Sequence, residues 1–177
     1  MFNISSRTPM YDQNAVQPMR DELKAVGFTE LLNAKEVDEA IKQNNNETVL
    51  VMINSVCGCA AGSARPGISL ALQNDIIPDR LYTGFAGQER DAVDRIRELI
   101  GNQPPSSPSV ALFKNGEIIH MMHRQEIEGR MPQEISNDWR KLFDEKCEKK
   151  GPSISPEQFE KVMHAKACGS KIPLYNE

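Results

Sequence analysis

The stretch 48–56 constrains this chain more than any other, because it is apolar and β-branched without the alternation that marks a half-solvated strand. A strand with apolar residues on both faces must be covered on both, which is the position of a central strand in an α/β sheet. The run opens directly into Cys57-Gly58-Cys59 and then into small residues, followed by Ile68, Leu70, Ala71 and Leu72. A helix is therefore expected to start near Cys59, with an interruption or kink around Pro66-Gly67. Two thiols are thus expected where a buried strand gives way to a helix.

The flanking sequence supplies the rest of such a sheet. Val16, Met19, Leu23 and Val26 repeat at helical spacing and stop at Gly27. Asn33-Ala34-Lys35-Glu36 has the form of a capping box ahead of Val37, Ala40 and Ile41. Residues 80–85 read as a second strand, and Val93, Ile96, Leu99 and Ile100 form the stripe of a helix ending at Gly101. After Pro104-Pro105-Ser106-Ser107-Pro108, residues 109–114 and 117–122 flank Asn115-Gly116, a strong hairpin signal that gives the sheet an antiparallel end. Pro132 opens a helix with Ile135, Trp139, Leu142 and Phe143 on one face. The expected fold is α/β: a three-layer sandwich with a mixed central sheet flanked by helices. Gly151-Pro152 marks a boundary between a domain over 1–150 and a C-terminal extension over 151–177. That extension carries one short helix, begun by Ser155-Pro156-Glu157-Gln158, with Phe159, Val162 and Met163 able to dock it on the body.

Four cysteines in 177 residues are too few for a disulfide scaffold, so in a reducing compartment they remain thiols unless they react. At a strand-to-helix junction, free helix amides and the positive dipole end stabilise a thiolate, the reactive form of cysteine. Cys57 precedes the helix and is expected to be the more exposed sulfur, hence the nucleophile, with Cys59 resolving. Closing a ring over one residue is strained, and Gly58 eases it, so the couple is expected to be readily reduced and suited to exchange. The balance of 21 Lys plus Arg against 25 Asp plus Glu, net -4, argues against a phosphate-tracking surface, so no nucleic-acid partner is expected. The longest strongly apolar run, 49–53, is far short of the roughly 20 residues that span a bilayer. The first residues show no basic start and apolar core, so the expectation is a cytoplasmic protein with no membrane partner.

Several motifs resemble the bacilliredoxin family, in that family's order and across roughly residues 10–147. They are Asn54-Ser55-Val56-Cys57-Gly58-Cys59-Ala60-Ala61-Gly62, Ala64-Arg65-Pro66, Phe85-Ala86-Gly87-Gln88, Pro105-Ser106-Ser107-Pro108-Ser109 and Glu126-Ile127-Glu128-Gly129. The resemblance implies a thioredoxin-like fold and a thiol-disulfide oxidoreductase that removes bacillithiol from mixed disulfides on proteins, with weak disulfide isomerase activity as the alternative. Cys57 and Cys59 match the catalytic pair. Ser107 and Pro108 fall where thioredoxin-like domains hold a cis proline beside the active sulfur, a substrate-binding position at which an extended client pairs like an added strand. The implied partners are bacillithiolated or disulfide-bonded client proteins, bacillithiol as co-substrate and a reducing partner. No metal or organic cofactor is needed, since sulfur exchange supplies its own leaving group.

A different class, a metal-binding module, would use Cys57 and Cys59 as soft ligands completed by Cys147, Cys168 or a histidine, although no second closely spaced pair is present. An adaptor domain would require inert cysteines. Cys147 reads as a packing residue and Cys168 as an unreactive surface thiol. His120 and His123, three apart on a strand, face opposite ways. His164 reads as a solvated helix residue, and Arg65 as a surface salt bridge in preference to a thiolate partner.

Overall fold

A computed structural model describes residues 7–164 and 173–175. Helix α1 (Gln13–Ala25) starts at Asp12, whose carboxylate accepts from the Ala15 N–H at 2.9 Å, and buries Val16, Met19 and Leu23. It leads through the two-residue strand β1 (Thr29–Glu30) to α2 (Ala34–Ile41). Here Asn33 caps the Glu36 N–H, while the Glu36 carboxylate reaches back to the Leu32 N–H and the Asn33 carboxamide, one residue further than a simple capping box. Strand β2 (Thr48–Asn54) is buried at every residue.

Downstream of β2 the chain forms a π-helical turn at Ala60–Ala64 and then α3 (Arg65–Ala71), β3 (Ile76–Ile77), β4 (Arg80–Phe85) and α4 (Arg90–Ile100). The hairpin β5 (Ser109–Lys114) and β6 (Glu117–Met122) turns on Asn115 and Gly116, both with positive φ, as a primed turn requires. Next come the four-residue α5 (Arg124–Ile127), α6 (Pro132–Lys146), β7 (Lys149–Lys150) and α7 (Pro156–Glu160).

The main sheet has the order β1-β4-β2-β5-β6, with β1, β4 and β2 parallel and β5 and β6 antiparallel. Alternate residues of β2 serve different cores. Val49, Val51 and Ile53 pack with Val37, Ile41, Val93 and Ile96 of α2 and α4. Leu50 and Met52 pack with Ile68, Ile135, Trp139 and Phe143 of α3 and α6. Both faces of β2 are dry, which is why its sequence lacks alternation. This is the expected thioredoxin-like α/β three-layer sandwich.

The interruption expected at Pro66-Gly67 lies one turn earlier. Pro66 has no N–H, and its ring would meet the carbonyl four residues back in a regular helix. The chain widens instead, the Arg65 N–H bonding to the Ala60 carbonyl five residues back, and Pro66 enters the first turn of α3. Gly67 then lets α3 approach α6, since a Cβ there would sit 2.9 Å from the Ile135 side chain and 3.1 Å from the Pro132 carbonyl. Gly67→Ala is therefore expected to lower stability by about 1–3 kcal/mol through overpacking, read as a reduced urea midpoint at unchanged slope.

The segment after residue 150 docks on the body. The Ser153 N–H bonds to the Leu72 carbonyl at 2.9 Å and Gln73 Nε2 to the Ile154 carbonyl at 3.2 Å. Ile154, Phe159 and Val162 pack on the core that contains Trp139. His164, expected in water, instead places Nδ1 2.7 Å from Oε1 of the fully buried Glu22. Cys168 lies outside the described residues.

Candidate active site

β2 ends at Asn54 because Ser55 and Val56 turn away from the sheet, with the Asn54 carboxamide oxygen accepting from the Ser55 N–H at 2.9 Å. The turn brings the Cys57 and Cys59 sulfurs within 2.7 Å of each other, either one placed to donate to its neighbour. Both cysteines are half-buried, so exposure does not distinguish them as the sequence suggested. Their hydrogen bonds do. The Ala60 N–H donates to Cys57 Sγ at 3.4 Å, and the Cys57 N–H donates to the Ser55 hydroxyl at 3.3 Å.

Burial alone would raise the Cys57 thiol. The Cys59 thiol, the Ala60 N–H, the Ser55 side chain and the charge of Arg124 together outweigh it, leaving Cys57 below its ordinary value. Burial, the hydrogen bond to Cys57 and the charge on that sulfur push Cys59 up to about 11. Two cysteines one residue apart are thus made unlike: one prepared to ionise, the other to hold its proton. Iodoacetamide alkylation of Cys57 is expected to follow a titration with its midpoint below the thiol norm of about 8.5, the rate falling as pH drops through that midpoint and the thiolate is protonated. Cys59→Ala removes a donor to the thiolate and should move the midpoint upward, measured from rate against pH.

Ser107 and Pro108 stand just before the strand that pairs with the end of β2. Register places Ile53 opposite Ser109, one residue before β2 ends and the chain leads on to Cys57. The Ser107-Pro108 bond is cis. The loop is held by the Ser109 hydroxyl donating to the Ser106 carbonyl at 2.9 Å and by the Arg124 N–H donating to the Ser106 hydroxyl at 2.8 Å. A pocket of about 510 Å³ opens between this loop and the start of α5.

Arg65 is not at the surface. Its side chain is fully buried, with Nε 2.7 Å from Glu22 Oε2 and Nη1 3.0 Å from both Asn54 Oδ1 and the Ser55 carbonyl. It holds the chain beneath the cysteines, while the cation whose charge acts on both sulfurs is Arg124, which sequence reasoning missed. Nothing local to residues 54–62 points to a residue in another element. Cys147 is buried in the core, and burial pushes its thiol up to about 11, consistent with packing. His120 lies edge-on to Trp139 at 5.3 Å between ring centroids, whereas His123 pairs with Gln103 at 3.2 Å, so the two imidazoles have separate surroundings. Among the described residues no group of three or more His, Cys, Asp or Glu is placed to hold a metal ion, and no helix is long and apolar enough to cross a membrane.

Thioredoxin 3 of Saccharomyces cerevisiae mitochondria, in its oxidized form, superposes with a TM-score of 0.46 at 18% identity, covering 68% of this chain and 97% of that one. A mutant thioredoxin of Halobacterium salinarum NRC-1 gives 0.45 at 16% identity, covering 69% and 92%. Sequence comparison reaches further. The family model described as Disulphide isomerase matches residues 11–147. Bacilliredoxins of Staphylococcus aureus strains NCTC 8325 / PS 47 and MRSA252 are each 45% identical over 141 residues, 80% of this chain and 96% of theirs. The match takes in the cysteine turn, the cis proline loop and α5, so the chain belongs to the bacilliredoxin family and is a thiol-disulfide oxidoreductase.

Proposed function

We propose that this protein removes bacillithiol from mixed disulfides on client proteins, with Cys57 as nucleophile and Cys59 as the resolving thiol. The observation that carries this reading is the asymmetry of two sulfurs only 2.7 Å apart, Cys57 lowered and Cys59 raised to about 11. The Cys57 thiolate attacks the bacillithiol sulfur of the mixed disulfide. That S–S bond breaks, the client leaves as its thiolate, and bacillithiol remains joined to Cys57. A second bacillithiol then attacks the sulfur of the bound bacillithiol, expelling the Cys57 thiolate and leaving as bacillithiol disulfide; alternatively Cys59, after losing its proton, attacks the Cys57 sulfur and expels the bound bacillithiol as a thiolate. Where Cys59 closes the ring, an external dithiol reductant takes up the oxidation and restores both thiols.

Ser107 and Pro108 form the substrate-binding edge, where the backbone before the proline pairs with an extended client segment. No resident cofactor takes part, and the cytoplasm, where low-molecular-weight thiols are kept reduced, is the compartment this chemistry suits. In the test, Cys59→Ser protein is offered a bacillithiolated client and analysed by mass spectrometry. The expected adduct is bacillithiol on residue 57; its appearance on Cys147 or Cys168, or nowhere, overturns the assignment. Weak disulfide isomerase activity is the second reading, favoured by the description of the matching family model. It would show as recovery of a scrambled disulfide protein without bacillithiol.

A further inference from the structure

The pocket of about 510 Å³ at the start of α5 falls in the size range of small-molecule sites, and it is lined by Arg124, the cation whose charge acts on both Cys57 and Cys59. Its polar lining is Gln103, Ser106, Ser107, His123, Arg124 and Gln125. Among the described residues that line it none is acidic, although the chain as a whole carries a net charge of -4. One end is Ser107, two residues before the Ser109 that pairs with Ile53 of β2, and the other is the start of α5. Arg124 meets Glu128 only at 3.7 Å and about half exposed, a contact an anionic ligand can displace at small cost. Its backbone N–H, bound to the Ser106 hydroxyl, fixes where the side chain starts.

We propose that this pocket is an anion subsite that holds the carboxylate-bearing body of a small thiol while Cys57 exchanges with its sulfur, Arg124 being the partner of the carboxylate. The inference rests on the exchange role assigned to Cys57. In the step concerned the Cys57 thiolate attacks one sulfur of a disulfide, the S–S bond breaks, and the other half leaves as a thiolate. The pocket holds the half that stays on Cys57. The hydroxyls and carboxamides that line the pocket with the guanidinium suit a hydrogen-bonding body, and its volume suits a small molecule.

Two symmetric disulfides separate charge from chemistry: 3,3'-dithiodipropionate, which carries carboxylates, and 2-hydroxyethyl disulfide, which is neutral. Second-order rate constants are measured with reduced wild-type protein, Arg124→Gln and Arg124→Lys. Any change in thiolate content affects both disulfides alike, so the carboxylate-to-neutral rate ratio isolates the subsite. Arg124→Gln is expected to lower that ratio about tenfold, the scale of one charge-assisted hydrogen bond. Arg124→Lys should retain most of it, and added salt should shrink the wild-type ratio while leaving that of Arg124→Gln unchanged. An equal ratio in wild type and Arg124→Gln overturns the subsite. Failure of wild type to exchange with either disulfide would instead overturn the role of Cys57. Arg124 is on the surface and its backbone bonds to the Ser106 hydroxyl and the Glu128 N–H survive substitution, so the variants keep the fold.

Discussion

Cys57→Ser is expected to lower the rate of exchange on a bacillithiolated client by at least about a thousandfold, to the uncatalysed level. A serine hydroxyl does not ionise near neutrality and cannot form the mixed disulfide that carries bacillithiol away. No other described thiol can take over. Cys59 holds its proton to about 11 because of burial and its contact with Cys57, and Cys147 is buried in the core at about 11. Cys59→Ser has a different expectation: the first displacement survives and only ring closure is lost, so repair continues wherever a second bacillithiol resolves the adduct. Single-turnover release of the client thiol, followed by mass spectrometry, separates the two variants. A Cys57→Ser rate within about tenfold of wild type would move the nucleophilic role to another sulfur.

Strong local patterns made much of the fold legible. The dry strand β2, the Asn115-Gly116 hairpin and the proline-started α6 are each determined by residues close together in sequence. Two-residue strands such as β1 and β3 leave no period to read, and α5 is a single turn, so tertiary contact decides them. The cysteine pair was visible because its spacing and its place after β2 are local. The cause of the difference between the two sulfurs was not, since it depends on the hydrogen bond that lowers Cys57 and raises Cys59 and on which thiol the Ala60 N–H faces. Arg65 was misread for a similar reason: its partner Glu22 lies 43 residues earlier, on α1, and an arginine in a small-residue turn does not advertise burial. The surface reading of His164 failed with it, because the same carboxylate is the partner of both.

Arg65→Met should be the most destabilising single change in the vicinity of the site, by about 3–5 kcal/mol. Arg65 and Glu22 both have fully buried side chains, and removing the guanidinium takes the 2.7 Å ion pair from a carboxylate that water cannot reach. The same change leaves the Ser55 carbonyl and Asn54 Oδ1 without the donor that holds them at 3.0 Å. Lysine is not an adequate substitute, because a point charge cannot reach Glu22 and the Asn54-Ser55 corner together as the planar guanidinium does, so Arg65→Lys should still lose a substantial part of that amount. In the double variant Glu22→Met, Arg65→Met neither member of the buried ion pair remains without the other, and the total loss should fall well short of the sum of the single losses. Urea unfolding of the four proteins, wild type included, measures the coupling. Additive losses would mean that the two residues act independently and that Arg65 does not tie α1 to the turn carrying the cysteines. A large positive coupling, together with slower alkylation of Cys57 in Arg65→Lys, would show that the buried pair both stabilises the fold and supports the geometry from which Cys57 reacts.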